Sequence, residues 1–272
     1  MRPSIRILAG LAVASVVYGQ TRDTHEKLHA ALWAQTAREY RGAALQAYRV
    51  AREQLDRALA DSNWTAAVEQ TGQYRELPPA LIVDIDETIL DNSPSQARMI
   101  RRNAEFGAVW EEWVSEARAE PIPGALEFLQ YAWSRGVTVF YITNRNHSRH
   151  EEATRRNLTR AGFPLSDHVD VVLTAGEKPD WSSDKSSRRT SVASHYRVLL
   201  LVGDDLGDFL PGVRTSVEKR AELARPYDAF WGWKWILIPN AAYGSWEEAH
   251  YGFDRSMKDE EKLSRKKKAL RE

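Results

Sequence analysis

The chain has 272 residues, 38 Lys+Arg against 38 Asp+Glu, and no cysteine. At 43% hydrophobic and 28% charged residues it can bury a full core, as one large domain or two small ones. Zero net charge argues against a nucleic-acid polymer as partner, and zero cysteine excludes disulfides, thiolate chemistry, Cys-ligated zinc, iron–sulfur clusters and a lipidated N-terminal cysteine.

Arg2 and Arg6 make a basic start, residues 7–18 are apolar apart from Gly10 and Ser15, and small Gly19 follows. This order predicts an export signal over residues 1–19, its apolar run too short for an ordinary membrane span. The expected location is the periplasm or the outside of the cell, as a non-lipoprotein. An uncleaved signal helix is the alternative, and the only membrane contact expected. Residues 20–79 read as an N-terminal helical segment. Within it Trp33, Ala37, Tyr40, Ala44, Ala47, Ala51, Leu55 and Ala58 recur at spacings of three and four, which puts them on one face. Gly42 is the predicted point of bending. Arg38, Arg41, Arg49 and Arg52 share a different, solvated face.

From residue 80 strands and helices alternate. Strands are predicted at 80–83, 137–142, 169–173, 198–202 and 235–238, and helices at 123–135, 148–161 and 186–195. Gly136 and Gly162 close the first two of these helices. The pattern predicts an α/β fold, a Rossmann-like parallel sheet flanked by helices. The core spans residues 80–250 with a small cap insertion at 91–121, and a charged tail covers 251–272, its Lys266-Lys267-Lys268 read as a solvated helix end. In such sheets ligands bind at the carboxyl ends of the strands.

After the first strand comes Asp84-Ile85-Asp86-Glu87-Thr88. Asp84 and Asp86 point the same way along an extended chain. Two carboxylates so close repel each other, and a divalent cation offsets the repulsion; hard oxygen ligands favour magnesium. A turn in which Asp caps the next helix is the alternative. After the second strand, Thr143 and Asn144 offer a hydroxyl and an amide suited to phosphate oxygens. After the fourth, Gly203-Asp204-Asp205-Leu206-Gly207-Asp208 brings Asp204 to the cation site, with Asp208 as a supporting acceptor or helix cap. Lys185 starts a predicted helix and favours an anion there, with Lys178 as competitor.

The order Asp-x-Asp-x-Thr, Thr, Lys, Gly-Asp-Asp-x-x-Asp resembles the haloacid dehalogenase superfamily. Asp84 to Ser93, Phe140 to Arg145, Val202 to Phe209 and Pro239 to Glu247 resemble its class B acid phosphatase branch, and within it the bacterial outer-membrane lipoprotein acid phosphatases, which are 5′-nucleotidases. The resemblance implies a haloacid-dehalogenase-like fold and a magnesium-dependent phosphatase for small phosphate monoesters, 5′-nucleotides among them. Asp84 is then the nucleophile that forms an aspartyl-phosphate, and Asp86 the general acid–base. Magnesium is held by the Asp84 side chain, the Asp86 carbonyl and Asp204, while Thr143, Asn144 and Lys185 bind the phosphoryl group. Trp110 and Tyr243 match the aromatic residues that stack on the base. Ser95 and Arg98 stand where the nucleotidases carry aromatics. The alternative is a phosphotransferase, or a phosphatase for a non-nucleotide ester, on the same site.

Overall fold

The structure, a computed structural model, describes residues 25–272, so the predicted signal at 1–19 lies outside the described residues. Two helices open it, α1 (Leu28–Thr36) and α2 (Arg38–Ala60). They divide at Ala37, which is extended (ψ 128°), and not at Gly42, which lies inside α2. The bend folds Trp33 edge-on against Tyr40, with ring centroids 5.2 Å apart. The predicted stripe is buried at Tyr40, Ala44, Ala51, Leu55 and Ala58, and the four arginines of the other face are exposed.

The core begins with β1 (Pro79–Val83). The insertion starts at β2 (Leu90–Asp91), runs through α3 (Ser93–Arg102) and α4 (Phe106–Glu116), and returns in β3 (Glu120–Pro121). β2 and β3 pair antiparallel and close its base. Arg98 ties the two helices, donating to Glu116 at 2.6 and 2.8 Å and to Glu112 at 3.0 Å. There follow α5 (Ala125–Ser134), β4 (Thr138–Asn146), α6 (His147–Ala161), β5 (Val172–Ala175), α7 (Ser186–Ala193), β6 (Arg197–Gly203), α8 (Val217–Ala224), β7 (Trp235–Leu237), α9 (Ser245–Glu248) and α10 (Asp259–Lys268).

The five long-range strands form one parallel sheet in the order β5-β4-β1-β6-β7. Every residue from Val139 to Thr143 and from Arg197 to Gly203 is buried. Side chains alternate along a strand, so both faces of the sheet are covered. The alanine-rich face of α2 packs on β6, β7 and α5, where small side chains allow close approach. β5 starts later than the apolar run suggests. Asp170 takes the Val172 N–H at 3.1 Å and Arg155 at 2.6 Å, so the ladder runs from Val172 into Thr174 and Ala175. The tail is not wholly solvated: Lys266 of α10 donates to Glu247 at 2.6 Å and Glu26 at 2.9 Å, tying both ends of the described chain together. Among the described residues no helix is long and apolar enough to cross a membrane.

Candidate active site

β1 lies between β4 and β6, so the strand ends carrying Asp84, Thr143 and Asp204 are neighbours. Beyond β1 the chain turns tightly. The N–H groups of Ile89 and Leu90 both donate to the Ile85 carbonyl at 2.9 Å, and Glu87 adopts a left-handed φ of 58°. That turn places Asp84, Asp86 and Thr88 above the sheet end.

Asp84, Asp204 and Asp208 each offer a carboxylate oxygen, all within 4.8 Å of one another. Thr88 Oγ1 lies 3.0 Å from both Asp84 and Asp204. Asn240 donates to the other Asp204 oxygen at 2.7 Å. Lys185, just ahead of α7, donates to Asp84 and, at 2.6 Å, to Asp208. The second Asp208 oxygen takes the N–H groups of Asp204 and Asp205 at 3.1 and 3.0 Å. Asp208 therefore both supports the loop and adds a carboxylate to the cluster. It can curl under the strand end because residue 203 is glycine; a Cβ there would meet its carboxylate at 2.2 Å.

Burial pushes the Asp84 carboxyl up to about 7 against the pull of Lys185, with Asp208 and Asp86 pushing the same way. Burial, then Asp84 and Asp208, raise Asp204 well above the usual carboxylate range. Burial works against the Lys185 ammonium, but Asp208 and Asp84 overcome it and hold its pKa above the ordinary value. Three buried or half-buried carboxylates thus face one ammonium. An all-oxygen donor set without His or Cys fits a hard divalent cation.

Asp86 stands apart from this cluster. Its carboxylate meets Arg145, at 2.7 Å from Nη2 and 3.0 Å from Nε, and the Asn92 amide at 2.9 Å. Thr143 is fully buried, its hydroxyl taking the Arg145 N–H at 3.1 Å. The Asn144 amide is already engaged, donating to Ser183 at 3.0 Å and accepting from Arg188 at 2.7 Å. Its side chain therefore holds the segment leading into Lys185. Lys178 is exposed, its ammonium 4.2 Å from the centre of the Trp181 ring, so Lys185 is the lysine that reaches the aspartates.

Phe106 lies between Trp110 and Tyr243: it stacks on Trp110 at 5.5 Å and tilts against Tyr243 at 6.4 Å. Trp110 also has the Arg145 guanidinium 5.4 Å from its ring centre. The Tyr243 hydroxyl donates to Glu87. Phe106, Glu87, Asn92, Arg145 and Asn240 also stand at this site, and their part in it is not legible from the sequence alone. All but Phe106 lie inside the matched motifs, but the pairing of Arg145 with Asp86, 59 positions away, leaves no local signal.

A parallel sheet with these carboxylates at its carboxyl end defines an α/β fold of the haloacid dehalogenase type. The chain belongs to the HAD superfamily, subfamily IIIB (acid phosphatase), whose family model matches residues 14–246. Two solved structures of the class C acid phosphatase from Bacillus anthracis are similar to it. Both are 34% identical, over 90% of this chain and 97% of theirs; the TM-scores are 0.79 and, for the one with tungstate bound, 0.80. The chain is an acid phosphatase, a phosphoric monoester hydrolase.

Proposed function

We propose that this acid phosphatase works through an aspartyl-phosphate on Asp84, requires magnesium, is exported, and accepts 5′-nucleotides among its esters. The observation that carries the reading is the convergence of Asp84, Lys185, Asp204 and Asp208 at one sheet end, with Asp86 on the adjoining turn. An Asp84 oxygen attacks phosphorus, and the bond to the leaving oxygen breaks as that oxygen takes a proton from Asp86. Asp86 then removes a proton from water. The water oxygen attacks phosphorus, and the Asp84 carboxylate leaves. Lys185 and the Thr143 hydroxyl supply donors for the charge spreading over the phosphoryl oxygens. Asp84, Asp204 and the Asp86 carbonyl would hold magnesium, which offsets the repulsion between an anionic nucleophile and an anionic phosphate. Tungstate, the ion in one Bacillus anthracis structure, is a tetrahedral oxyanion shaped like phosphate, which supports an oxyanion site of this kind. The basic–apolar–small order of residues 1–19 supports export.

Asp84→Asn is expected to lose at least about 1,000-fold in kcat on p-nitrophenyl phosphate while still unfolding in one cooperative thermal transition. Rates near wild type would remove the nucleophile assignment. Activity that survives full metal removal by EDTA would remove the magnesium requirement.

The nucleotide reading rests on Tyr243 and exposed Phe106 beside the site. A second reading, a non-nucleotide small ester, is favoured by Trp110, whose ring already meets Phe106 and Arg145. AMP and glycerol phosphate separate the two. Stacking adds roughly 1–3 kcal/mol per base, so nucleotide use predicts a kcat/KM about 5- to 150-fold higher for AMP.

A further inference from the structure

Asp86 is held unequally at its two oxygens. Oδ1 receives three N–H groups: Arg145 Nη2 at 2.7 Å, Arg145 Nε at 3.0 Å and Asn92 Nδ2 at 2.9 Å. Among the described residues Oδ2 receives only a shared contact from Arg145 Nε, at 3.2 Å. The holders are themselves fixed. The Arg145 side chain is 1% exposed, donates from Nη1 to Thr154 at 3.1 Å, and has the Trp110 ring against it. The Asn92 amide is oriented by Trp113, whose indole N–H donates to Asn92 Oδ1 at 2.7 Å. An indole can only donate, so the amide must turn its oxygen to Trp113 and its NH2 to Asp86. Asp86 is thereby gripped by Arg145 from β4 on one side and by the cap insertion on the other.

We propose that Arg145 is a positioning residue for Asp86, fixing Oδ2 as the oxygen that carries the proton and meets the leaving group. The inference rests on the reading of Asp86 as general acid. A guanidinium has five donors and no acceptor, and the Asn92 NH2 is likewise a donor, so a proton on Oδ1 would point into N–H groups. It belongs on Oδ2. As the phosphorus–oxygen bond breaks, the electron pair stays on the leaving oxygen, which takes the Oδ2 proton; the carboxylate left behind keeps its three donors on Oδ1. The planar fork matters as well as the charge, since Nε and Nη2 together set the rotation of the carboxylate.

The test is dependence on the leaving group. kcat/KM covers steps up to departure of the leaving group, and that departure needs a proton only when the leaving oxygen is basic. Arg145→Gln is expected to lower kcat/KM for glycerol phosphate by about 100-fold and for 2,4-dinitrophenyl phosphate by less than about 5-fold, the range general acids supply. Arg145→Lys keeps the charge without the fork and should show the same selective loss, smaller in size. A purely structural role would depress both substrates by the same factor, and that result, or no loss with glycerol phosphate, overturns the proposal. If Arg145→Gln fails to give a cooperative melt, Arg145→Lys decides alone by the same ratio. Asp86→Asn is measured beside them. If it shows no leaving-group dependence, the acid reading itself fails, and the proposal with it. If it does and the Arg145 variants do not, the acid reading stands and only the positioning role falls.

Discussion

At Asp84 and Glu87, burial outweighs the donors nearby. Burial, then the charge of Asp86, pushes Glu87 up to about 8, although Tyr243 and Asn92 both donate to it. Its Oε1 is buried with no partner among the described residues, and its backbone is left-handed. Such a residue costs stability, which fits a turn held for function. The folded chain keeps protons on Glu87 and Asp84 that the unfolded chain, with carboxyl pKa values of about 4, has already released. Stability of the metal-free protein should therefore fall as pH rises from about 4 towards the folded values of about 7 for Asp84 and about 8 for Glu87. The slope is at most about 1.4 kcal/mol per pH unit for each group. Urea melts in EDTA between pH 4 and 8 measure it. Glu87→Gln is expected to flatten the decline, and an unchanged slope would show that Glu87 does not hold its proton.

At the scale of elements, α2 does more than cover the sheet. The buried Tyr48 hydroxyl donates to the Thr88 carbonyl at 2.5 Å, so α2 reaches into the turn that ties Asp84 to Asp204. Tyr48→Phe leaves a buried carbonyl unpaired and should cost about 1–3 kcal/mol, read as a lower urea midpoint at constant slope. It should also lower kcat several-fold; full kcat in the folded variant would reduce α2 to a cover. α7 plays a similar part from the other direction. Its buried Arg188 donates to the Thr143 carbonyl at 2.5 Å and the Ser182 carbonyl at 2.6 Å, and Arg189 donates to the carbonyls of Gly207 and Asp208 at 2.9 and 3.1 Å. Consecutive arginines thus bind the loops on either side of Lys185.

Across the whole molecule, three segments far apart in sequence supply the charge cluster, and a cation held by Asp84 and Asp204 would join two of them, so it should stabilise the fold. At a magnesium concentration of 100 Kd the gain is about 2.7 kcal/mol. Differential scanning fluorimetry should show Tm rising with magnesium in the wild type and not in Asp204→Asn. An equal rise in both would place the cation elsewhere.

The alternation of apolar runs with helical stretches was enough to determine the parallel sheet, because each strand buried on both faces reads as a short apolar run. It also determined that the acidic residues gather at one end, since each follows a strand. Gly203 was legible as part of a motif, but its reason, the close approach of Asp208, is tertiary. Only the fold decided that Lys185 and not Lys178 meets the aspartates, that α1 and α2 break at Ala37, and that Arg145 and Asn92 grip one oxygen of Asp86. The physical reason is the same in each case. Periodicity records which side chains are buried, whereas the partner of a buried charge is chosen by the order in which the strands are laid side by side.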